Sequence, residues 1–291
     1  MPVALSDFHP LDLADQALVS DYLRRFPPEI SEHTFTNLFA WRAARPLWLA
    51  AALDALVFAS AAPGHPAVPA ILFGPPVGPA SVVGILDHYQ LPGAIRLPAG
   101  PAALLRAAGR EPVHDQDNDD YVYRVTDLAE MAGRRYAKKR NHIKQCLRNH
   151  VCTYEPMDQD NVEECLAMQE KWCEVRQCQI YPGLGNEDIA ITETLRHFAQ
   201  FSLLGGIIRI AGAVKAFAIA EPLNQDTAVW HFEKAMPEVE GLGQLITHWF
   251  ARFALGAFKF VNREQDLGLP GLRQAKESNF PDHRVAKFRW P

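Results

Sequence analysis

Between residues 227 and 280 the chain carries polar side chains at spacings that could do chemistry: TAVWHFEKAMPEVEGLGQLITHWFARFALGAFKFVNREQDLGLPGLRQAKESNF. His231 and Glu233 fall in an alternating run, Thr227–Ala235, that reads as a strand. Strict alternation puts Trp230 and Phe232 on one face and Val229, His231 and Glu233 on the other. A carboxylate or imidazole on an inward strand face can accept a proton during attack on a carbonyl. Pro237 ends the strand because it cannot donate to a ladder. Gly241 and Gly243 then permit a tight turn into a helix whose first-turn amides could meet an anion. Asn262, Arg263, Glu264, Gln265 and Asp266 crowd the end of a further strand, 258–264. Strand ends beside helix starts are where open α/β folds place their sites.

These residues need a helix and a sheet to hold them. Leu245, Ile246, Trp249, Phe250 and Phe253 recur at helical spacing and should bury the helix against the sheet. With 291 residues the chain is long enough for two domains, and its 48% hydrophobic and 22% charged content is that of a globular protein. A net charge of −5 argues against coating nucleic acid or membrane over the whole surface, though not against a local basic patch. Cys146, Cys152, Cys165, Cys173 and Cys178 show no C-x-x-C spacing. Neither a disulfide framework nor structural zinc is indicated, which fits a reducing cytoplasm. MPVALSDFHP lacks the features of a signal peptide, and the apolar stretch 47–62 is too short to span a bilayer and is broken by Asp54. A soluble, cytoplasmic protein without stable membrane insertion is expected.

Helices are expected at 11–26 and 34–44, a hairpin turning at Asp54, a strand at 70–73, and a helix at 80–89. A strand at 94–97, a helix at 101–108, a solvated acidic turn at 115–120 and a strand at 121–125 follow. After a strand at 151–155, a helix starts at Asp158 and runs to about Arg176. Tyr181–Gly185 reads as a loop, with Asn186 capping a helix over 187–204. Strands at 207–211 and 214–221 then form a hairpin leading into Thr227–Ala235. The element order of the first half recurs in the second, so we expect an α/β (α+β) chain divided into domains at 1–126 and 127–291.

From 128 to 150 the composition turns basic, with no acid between Met131 and Tyr154. A connecting helix is expected here. Tyr136, Ile143 and Leu147 share one face, while Arg140, Lys144 and Arg148 form a stripe of like charge on another. Such a stripe opposes helix stability slightly, which favours a phosphate- or polyanion-binding role for Arg135, Lys138, Lys139, Arg140 and Lys144. His231 and Glu233 share a strand face as metal ligands might, but no further ligand accompanies them and no metal is expected. There is no G-x-S-x-G, H-E-x-x-H or P-loop motif.

The segments SEHTFTNLFAWR, KKRNHIK, HFEKA and VNREQDLGLPGLRQAKES, with the final tract 281–290, resemble bacterial proteins of the phosphatidylglycerol lysyltransferase C-terminal domain-like group. That similarity covers nearly the whole chain, and the NREQDLG…GLRQAK block is its most specific part. RRYAKKRNHIKQC is more distantly similar to the helix before the second domain of Fem-type aminoacyltransferases. The resemblance implies two tandem GNAT-like domains, with mixed, mostly antiparallel sheets flanked by helices. It also implies an acyl- or aminoacyltransferase moving a group from an activated donor such as aminoacyl-tRNA to an amine or hydroxyl acceptor. The acceptor class is a small molecule, peptide or lipid headgroup, and no tightly bound cofactor is expected.

Within that reading Glu233 is the first candidate base, Glu221 the second and His231 an alternative. Asn262, Arg263, Asp266, Arg273, Lys276 and Tyr181 would contact substrate, and Gly241 and Gly243 an anionic donor. Arg263 has a structural alternative in Asp266 or Glu264, and Arg273 in Glu277. Where CoA-dependent GNAT enzymes show Q/R-x-x-G-x-G/A, this chain has Glu238-Val239-Glu240-Gly241-Leu242-Gly243. Two carboxylates beside a pyrophosphate site oppose CoA. Acyl-CoA stands as the alternative donor, and a catalytically silent module binding an anionic ligand as the alternative function.

Overall fold

The computed structural model describes residues 5–62 and 65–291. The first part of the chain forms β1 (His9–Pro10), α1 (Gln16–Arg25), α2 (Phe35–Ala40), β2 (Leu47–Ala52), β3 (Ala55–Ala62) and β4 (His65–Phe73). There follow α3 (Val82–Tyr89), β5 (Ala94–Leu97), α4 (Ala99–Ala107), β6 (Val113–His114), β7 (Asp120–Arg124), α5 (Val125–Glu130) and α6 (Ala137–Asn149). Then come β8 (Cys152–Pro156), α7 (Val162–Arg176), α8 (Pro182–Arg196), β9 (Leu204–Ile210), β10 (Ala213–Pro222) and β11 (Thr227–Ala235). The chain closes with α9 (Leu242–Phe253), β12 (Phe260–Asn262), α10 (Pro270–Glu277), β13 (His283–Val285) and β14 (Phe288–Trp290).

The two seven-stranded sheets have one permutation. Their orders are β1-β2-β3-β4-β5-β14-β6 and β8-β9-β10-β11-β12-β7-β13. In each, the fourth and fifth strands are parallel, at β4–β5 and β11–β12, while the hairpins are antiparallel. In each, the sixth strand comes from outside the run that supplies the others. β14 arrives from the C-terminus, and β7 precedes every other strand of its sheet. The expected class, two mixed and mostly antiparallel sheets flanked by helices, is what the chain adopts.

Two compact units result. The first comprises the chain up to Tyr121 with Glu264–Lys276 and Arg284–Pro291, and the second Val122–Arg263 with Glu277–His283. The division read from sequence assigned 127–291 to one domain, whereas 264–276 and 284–291 group with the first unit. Their bonds explain why. Phe288 pairs with Leu97 and His114. Gln265 Nε2 donates to Ser31, Glu32 and Asp120 at 2.9, 2.9 and 3.0 Å. Lys287 Nζ donates to both Glu32 and Asp120 at 2.6 Å. All three ions are buried. Burial alone would raise the Glu32 pKa, but Lys287 and Arg96 pull it down to about 2. A separate apolar core, with Trp48, Val57, Leu72, Ile85, Leu97 and Leu105 among its members, fills the rest of this unit.

In the second unit α9 lies on the sheet through Leu242, Leu245, Ile246 and Phe250, all fully buried. Each such side chain stabilises by about 1.5–3 kcal/mol. Phe253, expected on that face, is 56% exposed because the helix ends there.

Four further expectations are corrected. The basic stretch is two helices, since Met131 and Gly133 adopt positive φ between α5 and α6. α8 starts at Pro182 and runs through Gly183, Gly185 and Asn186, because proline at N1 presets the first turn and loses no hydrogen bond there. It ends at Arg196, and Leu204 opens β9. Leu147 is exposed, and Tyr136, Ile143 and Cys146 form the buried face of α6 and the turn before it. Cys173 and Cys178 form a disulfide, closing the C-terminal turn of α7.

Candidate functional site

The parallel ladder between β11 and β12 is short. Thr227, Ala228 and Val229 pair with Phe260, Val261 and Asn262, and there it stops. The edge of β11 facing β12 therefore continues outside that ladder from Trp230 to Ala235. On its other edge β11 pairs with β10, and Phe232 opposes Ile219 while Trp230 opposes Ala220. His231 is thus an inserted residue, a β-bulge that resets the alternation. Trp230 packs on Phe250 of α9 with ring centroids 4.7 Å apart, and Glu233 bonds Thr247 of α9. Residues three apart on a regular strand would point to opposite faces. The expected pairing of Trp230 with Phe232, and of Glu233 with Val229, is overturned by this one residue.

Arg263 follows the last residue of β12, and its guanidinium lies 4.4 Å from the Trp230 ring centroid. It donates to Glu233 Oε2 at 3.0 Å. Thr247 Oγ1 lies 2.9 Å from the same oxygen. Glu233 Oε1 accepts no hydrogen bond from any described residue. Lys139, on α6, donates to Ser278 Oγ at 3.0 Å. Its pKa is lowered, first by burial and then by Arg263, while Glu233 pulls it upward, so the lysine senses both groups. Arg263 and Glu233 thus form an ion pair on the α9 side of the strand, with Lys139 within electrostatic reach of both. Of the sequence candidates, the structure brings Glu233, Arg263 and Lys139 together. Arg263 pairs here with Glu233.

Glu221 and His231 form a separate pair, Oε1 to Nε2, at 2.8 Å. Glu221, Val229 and Asn262 oppose one another across three strands and so share one face, with Arg263 on the other. The His231 side chain is 1% exposed and that of Glu221 12%, against 21% for Glu233, so Glu233 is the most accessible of the three candidate bases.

The remaining candidates have partners of their own or are exposed. Asp266 belongs to the first unit, where it accepts from Tyr121 at 2.6 Å, Gly268 at 2.8 Å and Arg273 at 2.7 Å. Although burial opposes it, these donors lower its pKa to about 2. Arg273 also pairs with Asp117 at 2.8 Å, not with Glu277, and Lys276 lies 5.9 Å from the Tyr121 ring centroid. Tyr181 is exposed at the start of α8. The basic run divides by direction. Arg140 donates to the Gly133 carbonyl at 2.7 Å and also to that of Met131, and Arg135 pairs with Asp127 at 2.9 Å. Lys138, Lys144 and Arg148 are exposed.

The glycine turn has a local cause. Gly241 has φ 83°, and a Cβ there would stand 2.2 Å from the His142 carbonyl oxygen of α6. Glu240 accepts from Gln145 at 2.7 Å, and Glu238 from Lys215 at 3.2 Å. The backbone of α6 therefore covers Gly241, whereas a Cβ on Gly243 would meet nothing within 4 Å. Thr247, Trp230 and Ser278 were not singled out from sequence. Thr247 carried a signal, being a hydroxyl between Ile246 and the next turn's Phe250 on the apolar face of α9.

Among the described residues no helix is long and apolar enough to cross a membrane. The chain resembles a conserved protein of unknown function from Bacteroides thetaiotaomicron, with TM-score 0.86, 29% identity, and 97% and 98% of the two chains covered. L-PGS from Bacillus licheniformis aligns with TM-score 0.65 and 11% identity over 95% of this chain and 91% of that one. FemX aligns with TM-score 0.59 and 10% identity over 97% and 96%. The last two likenesses show the fold. Among curated proteins none matches. Residues 23–290 match the model of the phosphatidylglycerol lysyltransferase C-terminal family, and the chain belongs to that family.

Proposed function

We propose that the second unit transfers an aminoacyl group from aminoacyl-tRNA to an amine or hydroxyl acceptor at Glu233, Arg263 and Lys139. The observation that carries this reading is the Arg263–Glu233 ion pair, with Lys139 within electrostatic reach, beside the unladdered edge of β11. The acceptor's nitrogen or oxygen attacks the ester carbonyl and its proton passes to Glu233 Oε1. The ester C–O bond to the terminal ribose breaks, and the proton returns to the departing ribose oxygen. No covalent enzyme intermediate is needed, since the donor is already activated. Arg263 and Lys139 stabilise anionic charge, either an acceptor phosphate or the developing oxyanion. The family description makes phosphatidylglycerol the first acceptor to try.

Two features favour tRNA over CoA. The α6 backbone occupies the space over Gly241, and Lys138, Lys144 and Arg148 offer an exposed track for a phosphate backbone. A second reading, acyl-CoA as donor, draws on the open space over Gly243 in the first turn of α9. Calorimetry with acetyl-CoA, free CoA, and charged and uncharged tRNA at two salt concentrations separates them. The proposal expects salt-dependent tRNA binding, and micromolar CoA binding without tRNA binding would overturn it.

A further inference from the structure

Thr247 presents a hydrogen-bonding conflict that the acid–base reading resolves. Its Oγ1 lies 2.9 Å from Glu233 Oε2 and 2.9 Å from the Gly243 carbonyl oxygen, one turn back in α9. A hydroxyl has one proton to give. Both neighbours are acceptors while Glu233 is ionised, so the proton can serve only one of them at a time. Thr247 is buried, which keeps water from mediating freely. The charged groups around Glu233 are Arg263, just after β12, donating at 3.0 Å, and Lys139 on α6, within electrostatic reach. Neither can change its hydrogen bonding as simply as a rotating hydroxyl.

We infer that Thr247 is a positioning residue whose O–H turns between two acceptors as Glu233 loses and gains a proton. With Glu233 ionised, the O–H points to Oε2 and makes a charge-assisted bond. When an acceptor's proton arrives at Oε1, Oε2 becomes a weaker acceptor and the O–H turns to the Gly243 carbonyl. Neither state leaves the buried hydroxyl proton without a partner, and the Glu233 side chain need not move. The role of this titration in turnover rests on the proposed transfer reaction, but the switch is measurable without substrate.

The test is a carbon-13 titration of the glutamate side-chain carboxyls in the full chain, with the Glu233 signal identified by its loss in Glu233→Gln. Thr247→Val removes the hydroxyl at nearly constant shape. The ionised form then loses a charge-assisted donor, and the Glu233 midpoint should rise by about 0.5–1 pH unit. Thr247→Ser keeps the hydroxyl and should restore the wild-type midpoint. Should Thr247→Val fold poorly, Thr247→Ala lacks the same donor and should shift the midpoint in the same direction. A midpoint within about 0.2 unit of wild type in the hydroxyl-free variant overturns the inference. So does an equal shift in Thr247→Ser, which would assign the effect to packing. Loss of transfer in Glu233→Gln bears on the proposed function alone, so the two can fail separately.

Discussion

Replacing Lys287 by methionine removes an ammonium that sits 2.6 Å from both Glu32 and Asp120. Lys287 and Asp120 are fully buried and Glu32 nearly so, so water cannot replace the lost partner without opening the unit. Arg96 still reaches Glu32 at 2.9 Å, and Ser31 and Gln265 still donate to Asp120. Part of the charge therefore remains compensated. Breaking a buried pair by deleting one member costs about 3–5 kcal/mol. A loss near 4 kcal/mol corresponds to a fall in Tm of roughly 8–16 °C in a chain of this size. Calorimetry from pH 7 downward is the assay. Glu32 is shifted from 4.5 to about 2, so its contribution is complete above pH 4.5 and is lost as the pH falls through about 2. That shift corresponds to about 3 kcal/mol. Removing Lys287 should relax it, moving the acid transition of the variant to higher pH. Adding Glu32→Gln and Asp120→Asn should recover at least half of the lost stability, because the uncompensated charges are then gone. A Lys287→Met protein melting within 1–2 °C of wild type, or a triple variant no better than the single one, would refute the reasoning.

Gly241→Ala forces a Cβ to within 2.2 Å of the His142 carbonyl oxygen at φ 83°, and should destabilise by about 2 kcal/mol or more on denaturant titration, whereas Gly243→Ala should stay within about 1 kcal/mol. Thiol titration of the denatured protein without reductant should find the three free cysteines, Cys146, Cys152 and Cys165, and a count of five would contradict the Cys173–Cys178 bond. Replacing Lys138, Lys144 and Arg148 by glutamine should leave Tm nearly unchanged and reduce the salt slope of tRNA binding by about 2. A falling Tm with an unchanged slope would show that these charges serve the fold instead.

The strand–turn–helix core of the site was legible from sequence because its signals are local. Alternation marks Thr227–Ala235, glycines mark the turn, and apolar spacing marks α9. The bulge was not legible, since an inserted His231 leaves the alternating pattern superficially intact. Composition located the basic run but gave no direction for each charge. Only the packing of α6 separates Lys139 beside Ser278 from exposed Lys138, and commits Arg140 to backbone carbonyls. Pro182-Gly183-Leu184-Gly185 reads as loop by composition, but proline at N1 and the continuing turn make it helix. The exchanged sixth strands were beyond reach for another reason. β14 has three residues and β6 two, and their pairing is set by distant partners rather than by local pattern. Asp266 and Arg273 are expected as substrate contacts from the polar run at the end of a strand and the helix that follows it. Their bonds to Tyr121 and Asp117 within the first unit join residues 145 and 156 positions apart, which local pattern does not reveal.

The most direct measurement is single-turnover discharge of lysyl-tRNA in the presence of phosphatidylglycerol vesicles, comparing wild type with Glu233→Gln. If Glu233 is the base, the variant should lose about 10²–10⁴ in rate while its affinity for tRNA stays within about twofold. Discharge by Glu233→Gln within about threefold of wild type would contradict the assignment of the site to Glu233, Arg263 and Lys139.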